Sequence, residues 1–224
     1  MQKSRRTPKP APAPPRGRGR PRAFDRDTAL RQAVQLFWRK GFEATSMADL
    51  TGAMGIGAPS LYAAFGSKEA LYAEALCFYE KNYGGYTWGN FESAPTARTA
   101  VQSLLLNSAA SLTGCERDAP TGCMLTLSSI NSDSHAGLCD AVRTSRSAVV
   151  ERLEARFGRA VAEGEIPPTT DLHALARFVQ TVQSGMSILA RDGATRAELE
   201  AVARVAMASW DALCPPMDRA VDTT

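Results

Sequence analysis

The sequence predicts an all-α protein in which an N-terminal group of three short helices precedes a larger helical part. From Asp25 onward, apolar residues recur at steps of three and four and nowhere alternate for the length of a strand. Glycines and prolines interrupt this pattern where helices are expected to end. With 224 residues and 44% hydrophobic content, the chain is long enough to bury a sizeable core.

The first two helices have clear ends in the sequence. Helix one is expected to end at Gly41. Helix two is expected to begin after Ser46, where Asp49 completes a capping box, and to end at Gly55. The apolar faces comprise Leu30, Ala33, Val34, Phe37 and Trp38 in helix one, and Met47, Leu50 and Met54 in helix two.

A third short helix follows the glycine turn in "GIGAPSLYAAFGSKEALY". Its first turn accommodates Pro59, Gly66 ends it, and Ser67 caps helix four. The inward residues are Leu61 and Phe65, whereas the opposite face carries the small residues Gly57, Ala58, Ser60, Ala63 and Ala64. Such an arrangement matches a helix-turn-helix, whose last helix enters the major groove of DNA. The alternative is a helical hairpin in which these are only packing residues.

Charge is concentrated in the first 22 residues, which carry eight Lys or Arg, six prolines and no acidic residue. The remaining 202 residues have 18 basic and 23 acidic side chains. Low hydrophobicity predicts a disordered basic arm over residues 1–22. A basic arm on an acidic body suggests attraction to a polyanion, either nucleic acid or an anionic membrane surface.

Residues 29–76, "ALRQAVQLFWRKGFEATSMADLTGAMGIGAPSLYAAFGSKEALYAEAL", resemble the DNA-binding domain of the TetR/AcrR transcriptional regulators. Several separated features coincide: an aromatic pair before Lys-Gly-Phe, Ala-Thr-Ser at the start of helix two, Leu-Tyr with a following Phe in helix three, and Ser-Lys-Glu opening helix four. The resemblance implies a homodimer with a small-molecule pocket in its C-terminal part, and repression of a DNA operator that a ligand relieves.

The resemblance also assigns candidate DNA contacts. Thr45 matches the family's phosphate contact at the start of helix two, beside Ser46, and Ser60, Tyr62 and Lys68 fill further backbone-contact positions. Hydroxyl and ammonium groups are suitable donors to phosphate oxygens. Ala58, Pro59 and Ala63 are suited to contact thymine methyl groups.

The arm contains Arg18-Gly19-Arg20-Pro21, which resembles the core of an AT-hook. An extended Arg-Gly-Arg segment fits a narrow A·T minor groove, because a side chain at the glycine would collide with the groove floor. We expect Arg18, Arg20 and Arg22 to contact DNA beside helix three. The alternative is a solvated leader that contributes only solubility or non-specific affinity.

The C-terminal part is expected to contain six more helices. Helix four runs from Lys68 to about Tyr83 and is followed by a Gly-rich aromatic connection. Later helices are expected from Pro95 to about Thr113, Cys123 to Ile130, Ala136 to Glu163, Asp171 to Arg191, and Arg196 to Leu213. The resulting units are a helix-turn-helix DNA-binding domain over residues 23–67, a regulatory and dimerisation domain over residues 68–214, and a flexible tail over residues 215–224.

The last two helices carry apolar stripes, which the resemblance assigns to a dimer interface. The candidate interface residues are Val179, Val182, Met186, Leu189, Val202, Ala206 and Trp210. Each of them is also suited to pack within its own subunit.

A ligand pocket is the weakest inference from sequence, because its walls use the same apolar residues as a core. The candidates are Tyr79, Trp88, Phe91, Leu105, Cys123, Met124, Phe178 and Gln183. Cys123 at a helix start is a second kind of candidate, a thiol that senses oxidants or electrophiles. The alternative for Cys123 is a small buried hydrophobe.

Other functions have little support in the sequence. "GAMGIG" follows a helix rather than a strand, and neither a phosphate loop nor a nucleophile with a histidine partner is present, so we expect neither an enzyme nor a cofactor. Five widely spaced cysteines and two isolated histidines predict no disulfide framework and no metal site.

We expect a cytoplasmic protein, since neither a secretory signal nor a membrane span is present. A purely architectural A·T-binding protein would leave the C-terminal domain unexplained.

Overall fold

The computed structural model describes residues 25–114, 119–128, 130 and 134–214. Within these ranges the chain forms helices and no strand. The helices are α1 (Arg26–Lys40), α2 (Met47–Met54), α3 (Ala58–Phe65), α4 (Lys68–Trp88), α5 (Ala97–Leu112), α6 (Met124–Leu127), α7 (Ala136–Ala162), α8 (Leu172–Arg191), α9 (Arg196–Ala208) and α10 (Trp210–Leu213). The predictions for the basic arm and for residues 215–224 lie outside the described residues.

The predicted starts and ends of the first helices are confirmed. The Ser46 side chain accepts a hydrogen bond from the Asp49 N–H, and the Asp49 carboxylate accepts one from the Ser46 N–H. Ser67 caps α4 through a single hydrogen bond, which its hydroxyl accepts from the Ala70 N–H at 3.1 Å. Gly55 ends α2 with φ of 64°, a left-handed conformation that favours glycine.

Two clusters of buried side chains organise the described residues. The first joins α1 to α4 with α6 and the start of α7, and it contains Phe37, Leu50, Leu61 and Tyr72. The second lies among α5, α7, α8, α9 and α10. Because α4 packs against both α1 and α5, it links the helix-turn-helix to the C-terminal helices.

The prediction that α4 ends near Tyr83 is wrong, since the helix continues through Gly84 and Gly85 to Trp88. Glycine disfavours a helix interior by about 1 kcal/mol relative to alanine. Contacts made by this last turn and a half offset that cost: the Tyr83 ring stacks on Tyr79, and the Thr87 hydroxyl donates to Ser111 Oγ at 3.1 Å.

Two further helix boundaries differ from the prediction. α6 is a single turn that ends at Leu127 rather than Ile130. The last predicted helix is interrupted at Ser209, whose N–H donates to the Ala206 carbonyl at 3.2 Å. This tighter turn allows Trp210 to lie against the Phe157 ring, with centroids 5.9 Å apart.

Among the described helices, none combines the length and the apolar character that crossing a membrane requires.

Candidate DNA-binding surface and effector cavity

Helix α3 turns its large apolar residues inward and presents a thin outer face. Leu61 and Phe65 are buried, whereas the Tyr62 ring is 49% exposed. Pro59 lies in the first turn, and no side chain caps the helix at Gly57. The exposed residues of this face are Gly57, Ala58, Pro59, Ser60, Tyr62 and Ala63. Five of the predicted DNA contacts therefore share one accessible face.

Arg26 holds the C-terminal end of α3 against α1 and α4. Its Nη2 lies 2.8 Å from both carboxylate oxygens of Glu74 in α4. Its Nε and Nη2 lie 3.4 Å from the Ala64 carbonyl oxygen at the end of α3. The guanidinium also lies over the Phe65 ring, 4.6 Å from the centroid. No local sequence pattern indicates this role for Arg26, because its partners are 38 and 48 positions away.

Helix α2 is held at its start by charge as well as by its cap. Lys40 Nζ donates to Asp49 Oδ1 at 2.8 Å. The Lys40 ammonium and the hydrogen bonds from Ser46 lower the pKa of Asp49 to about 2. The Ser46 hydroxyl is exposed but already donates to Asp49, so its predicted DNA contact competes with the capping box.

Lys68 occupies the first turn of α4, just after the end of α3. Its Nζ lies 4.3 Å from the centroid of the Phe42 ring, a cation–π contact that limits the positions the side chain adopts. The structure gives this ammonium no carboxylate partner among the described residues. It is therefore a fixed positive charge beside the exposed face of α3.

The prediction for Thr45 needs correction. The side chain is fully buried, and its hydroxyl donates to the Gly41 carbonyl at 2.6 Å. The turn between α1 and α2 uses this hydroxyl to satisfy a carbonyl at the end of α1. In this conformation the Thr45 hydroxyl has no access to a phosphate.

A cavity of about 1080 Å³ lies among α1, α4, α5, α6, α7 and α8. Trp38 of α1 and Tyr79, Tyr83 and Trp88 of α4 form an aromatic wall. Trp38 meets the Tyr79 and Tyr83 rings edge to face, with centroids 4.8 and 5.1 Å apart. Trp88 joins this wall because α4 extends past Tyr83.

Four of the eight predicted pocket residues line this cavity: Tyr79, Trp88, Cys123 and Gln183. Gln183 Nε2 donates to Ser108 Oγ at 2.9 Å, which places an amide oxygen and a hydroxyl group in the wall. Burial holds the pKa of Tyr79 well above its ordinary value, and the adjacent Cys123 thiol adds to that shift.

The other four predicted pocket residues do not line the cavity. Phe91, Leu105 and Met124 are fully enclosed in the two clusters of buried side chains. Phe178 is partly buried and packs against the second cluster. These residues fill the space between helices, which was the alternative that their apolar character had left open.

The predicted dimer face also divides into two groups. Val179, Met186, Ala206 and Trp210 are buried within the subunit, because α8 and α9 both pack on α5 and on each other. Val182 and Val202 are partly buried, and Leu189 is 44% exposed. Sequence analysis missed Val205, which is 71% exposed on α9. An apolar stripe on a helix does not show which of its residues are buried in the core of the subunit and which are exposed at its surface.

Within the described residues, no group of three or more histidine, cysteine, aspartate or glutamate side chains is placed to hold a metal ion.

Comparison with known proteins agrees with this arrangement. A family model described as "Bacterial regulatory proteins, tetR family" matches residues 29–75, and one described as "Tetracyclin repressor-like, C-terminal domain" matches residues 100–210. The HTH-type transcriptional repressor ComR of Escherichia coli is 36% identical over 196 residues, 86% of this chain and 92% of ComR. The chain belongs to the TetR family. It is therefore a helix-turn-helix, DNA-binding transcriptional regulator of a non-enzyme family that includes repressors.

Two further relatives of this TetR-family protein are informative. The E. coli repressor BdcR is 49% identical over 59 residues, 26% of this chain and 30% of BdcR. A structure of a cysteine mutant of the regulator CifR superimposes with a TM-score of 0.80 at 41% identity, and the match covers 85% of this chain and 100% of that one. CifR is complexed there with a 26-bp double-strand operator DNA.

Proposed function

We propose that the protein is a dimeric repressor that binds a palindromic operator through α3 and releases it when a small molecule occupies the cavity. The observation that carries this proposal is the thin exposed face of α3, flanked by the fixed ammonium of Lys68. A major groove about 12 Å wide admits a helix with such a face.

On this proposal the exposed residues of α3 divide into two roles. The hydroxyls of Ser60 and Tyr62, with the Lys68 ammonium, donate to phosphate oxygens and fix the position of the helix. The side chains of Ala58 and Ala63 contact thymine methyl groups, with Pro59 beside them. The complex of the related CifR with operator DNA supports a DNA target for this face.

The basic arm is proposed to lie in the minor groove next to α3, where Arg18, Arg20 and Arg22 follow the groove floor. The position of Arg26 supports this placement. It lies in the first turn of α1 and contacts the Ala64 carbonyl of α3, so the chain enters α1 beside the proposed reading helix.

The dimer is proposed to form through the exposed apolar residues of α8 and α9. These are Leu189 and Val205, with the partly buried Val182 and Val202 at the margin. A two-fold dimer places its two α3 helices on half-sites one helical turn apart, about 34 to 36 Å.

Release is proposed to follow a population shift that α4 transmits. Its 21 residues span about 31 Å, from Lys68 beside α3 to Trp88 in the cavity wall. An effector that favours one position of Tyr79, Tyr83 and Trp88 therefore also favours one position of Lys68.

The DNA proposal is tested by selecting duplexes from a random pool with the purified full chain at moderate ionic strength. We expect a palindrome to be enriched, and Tyr62→Ala to weaken binding to it. Tyr86→Ala is the matched control, because Tyr86 also lies on the protein surface but faces the cavity mouth. A failure of the intact protein to enrich any duplex would contradict the proposal.

The dimer proposal is tested separately by native mass spectrometry. Val205→Arg places a charge on the exposed apolar face of α9 and should give monomers. Ala155→Arg adds the same charge to an exposed position of α7 and should leave the dimer intact. If Val205→Arg remains dimeric, the interface lies elsewhere.

A second candidate function is a thiol sensor in the same cavity, which the position of Cys123 beside Tyr79 favours. On this alternative the Cys123 thiol adds across the C=C bond of an α,β-unsaturated carbonyl compound: the S–C bond forms at the β-carbon as the π bond breaks, and the α-carbon takes up a proton in place of the one that the thiol loses. Operator release should then accompany a mass increase on the peptide containing Cys123, and Cys123→Ser should abolish both. Cys77→Ser, which removes an exposed thiol, is the control. Release by an electrophile from Cys123→Ser protein would exclude the sensor.

A further inference from the structure

The charged side chains of the cavity wall are not balanced. Lys81, Arg146 and Arg177 line the cavity, and none of them has a carboxylate partner within the described residues. The cavity wall contains one described carboxylate, that of Glu80 at the mouth. The described wall therefore has an excess of positive charge.

A fourth cation of the wall is already neutralised. Arg152 Nε donates to Glu92 Oε1 at 2.8 Å, and its guanidinium lies 4.3 Å from the centroid of the Trp88 ring. Arg152 therefore provides a comparison within the same cavity, as an arginine whose charge is neutralised by a carboxylate. Arg146 and Arg177 differ from it, because their hydrogen-bond partners within the described part of the chain are uncharged.

Arg146 is held rigidly by one edge of its guanidinium. Its Nε and Nη2 donate to the Leu125 carbonyl at 3.2 and 3.0 Å. Nη2 also donates to the carbonyls of Thr126 and Ser128, at 2.9 and 2.7 Å. These bonds satisfy the end of α6 and leave Nη1 without a described protein partner. A fixed guanidinium with one edge that no described protein group occupies is a pre-organised donor for an anion.

Gln180 joins the two uncompensated arginines into one wall. Its Nε2 donates to the Arg146 carbonyl at 2.8 Å, and its Oε1 accepts a hydrogen bond from Arg177 Nη1 at 3.0 Å. The amide group therefore sets the distance between α7 and α8 at this point. Both arginines therefore lie where α7 packs on α8, and both line the cavity.

The wall also has an aromatic part, beside the aliphatic side chains of Leu112, Leu125, Val149 and Ile188. Trp38, Tyr79 and Tyr83 form a cluster in which Tyr79 and Tyr83 stack, with centroids 5.5 Å apart. Planar faces and edges of this kind suit a flat apolar body. The cavity thus offers two chemically different surfaces to one ligand.

The geometry points to an aromatic anion as the class of effector: a flat ring system that packs against Trp38, Tyr79 and Tyr83, with a carboxylate or sulfonate directed to Arg146 and Arg177. This inference rests on the proposed function only in treating the cavity as the effector site. A neutral ligand of the same shape displaces water from the arginines without replacing its hydrogen bonds, so it binds more weakly.

The test uses two fluorescent probes that share one aromatic body. Anilinonaphthalene sulfonate carries an anionic group, and N-phenylnaphthylamine lacks it. We expect the intact chain to bind the sulfonate more tightly, although the neutral probe is the more hydrophobic. Arg177→Gln should weaken the sulfonate roughly three- to tenfold, and should leave the neutral probe unchanged.

Arg204→Gln is the matched control, since it removes the same charge from an exposed position of α9 outside the cavity. It should change neither probe's affinity. Equal binding of the two probes, or equal losses in the two variants, would overturn the inference. The readout is independent of DNA: sulfonate binding without operator release would contradict the proposed regulation, whereas release by neutral ligands alone would contradict the ligand class.

Discussion

The indole N–H of Trp38 donates to the carbonyl of Gly122 at 2.9 Å, and both residues line the cavity. Trp38 belongs to α1 of the helix-turn-helix, whereas Gly122 belongs to the segment that precedes α6. The next N–H along the chain, that of Cys123, donates to Ser187 Oγ in α8 at 2.8 Å. One short segment therefore connects the DNA-binding helices to α8 at the edge of the cavity.

Trp38→Phe should destabilise the protein by about 1 to 3 kcal/mol, because it keeps an aromatic ring but leaves a buried carbonyl without its donor. We also expect faster hydrogen exchange at the Cys123 amide, since residues 119–128 lose a hydrogen bond to α1. Denaturant unfolding and exchange mass spectrometry measure the two effects.

Trp88→Phe is the control for this prediction, as it shortens another aromatic residue of the same wall without removing a backbone hydrogen bond. It should leave exchange at Cys123 unchanged. Unaltered exchange in Trp38→Phe would show that the remaining hydrogen bonds, such as those to Ser187 and Leu112, hold the segment without Trp38.

Gly122 has a separate constraint, because its φ of 77° is in the left-handed region. A Cβ there would lie 2.6 Å from Leu127 Cδ1 and 2.9 Å from the Ser187 carbonyl oxygen. Gly122→Ala should therefore reduce the free energy of unfolding by roughly 2 to 4 kcal/mol.

The contrasting substitution is Gly158→Ala near the C-terminal end of α7, where a Cβ meets no atom within 4 Å. We expect this variant to be about 0.5 to 1 kcal/mol more stable, because alanine favours the helix and restricts the unfolded chain. Thermal unfolding of the two variants and of the parent chain shows whether each substitution lowers or raises the stability of the fold. If Gly122→Ala left the free energy of unfolding unchanged, residues 119–128 would be able to shift and accommodate the added Cβ without a loss of stability.

Local signals were sufficient to predict the helix-turn-helix. The Ser46–Asp49 capping box, the left-handed Gly55 and the cap at Ser67 each depend on residues within a few positions. Because the stabilisation that these caps provide comes from neighbouring residues, the local sequence is sufficient to predict where the helices begin and end.

Long-range contacts explain what the sequence did not reveal. The extension of α4 to Trp88 depends on contacts with α1 and α5, which outweigh two unfavourable glycines. Arg191 of α8 donates to the Trp38 and Arg39 carbonyls at the end of α1, a contact between residues more than 150 positions apart. No periodicity or local motif reports such a pairing, and the same is true of Arg146 in the cavity.

The pH dependence of the helix-turn-helix should depend on Asp49. Its pKa is lowered from 3.8 to about 2, first by Lys40 and then by Ser46. A carboxyl group with a lowered folded-state pKa stabilises the fold above its unfolded pKa, and this contribution is lost as the pH falls from 3.8 toward 2. Lys40→Met should raise the pKa of Asp49 and make the fold less resistant to acid in that window.

Carboxyl chemical shifts measured by NMR during an acid titration test this directly. Lys81→Met removes the same charge from an exposed position of α4 and should leave the Asp49 titration unchanged. An Asp49 midpoint that stays near 2 in Lys40→Met would assign the whole shift to the capping box with Ser46.

Lys68 should contribute one phosphate contact to operator binding. The Phe42 ring holds its ammonium 4.3 Å from the ring centroid, beside the exposed face of α3, so the charge is already in position before DNA binds. Each phosphate that a protein neutralises contributes about 0.9 to the slope of log K against log salt concentration. Lys68→Ala should lower that slope by about one unit on every duplex, because phosphate contacts carry no base specificity.

Lys81→Ala, on the cavity side of α4, should keep the parent slope. Fluorescence anisotropy over a salt series gives both values, and equal slopes for Lys68→Ala and the parent chain would place Lys68 away from the DNA.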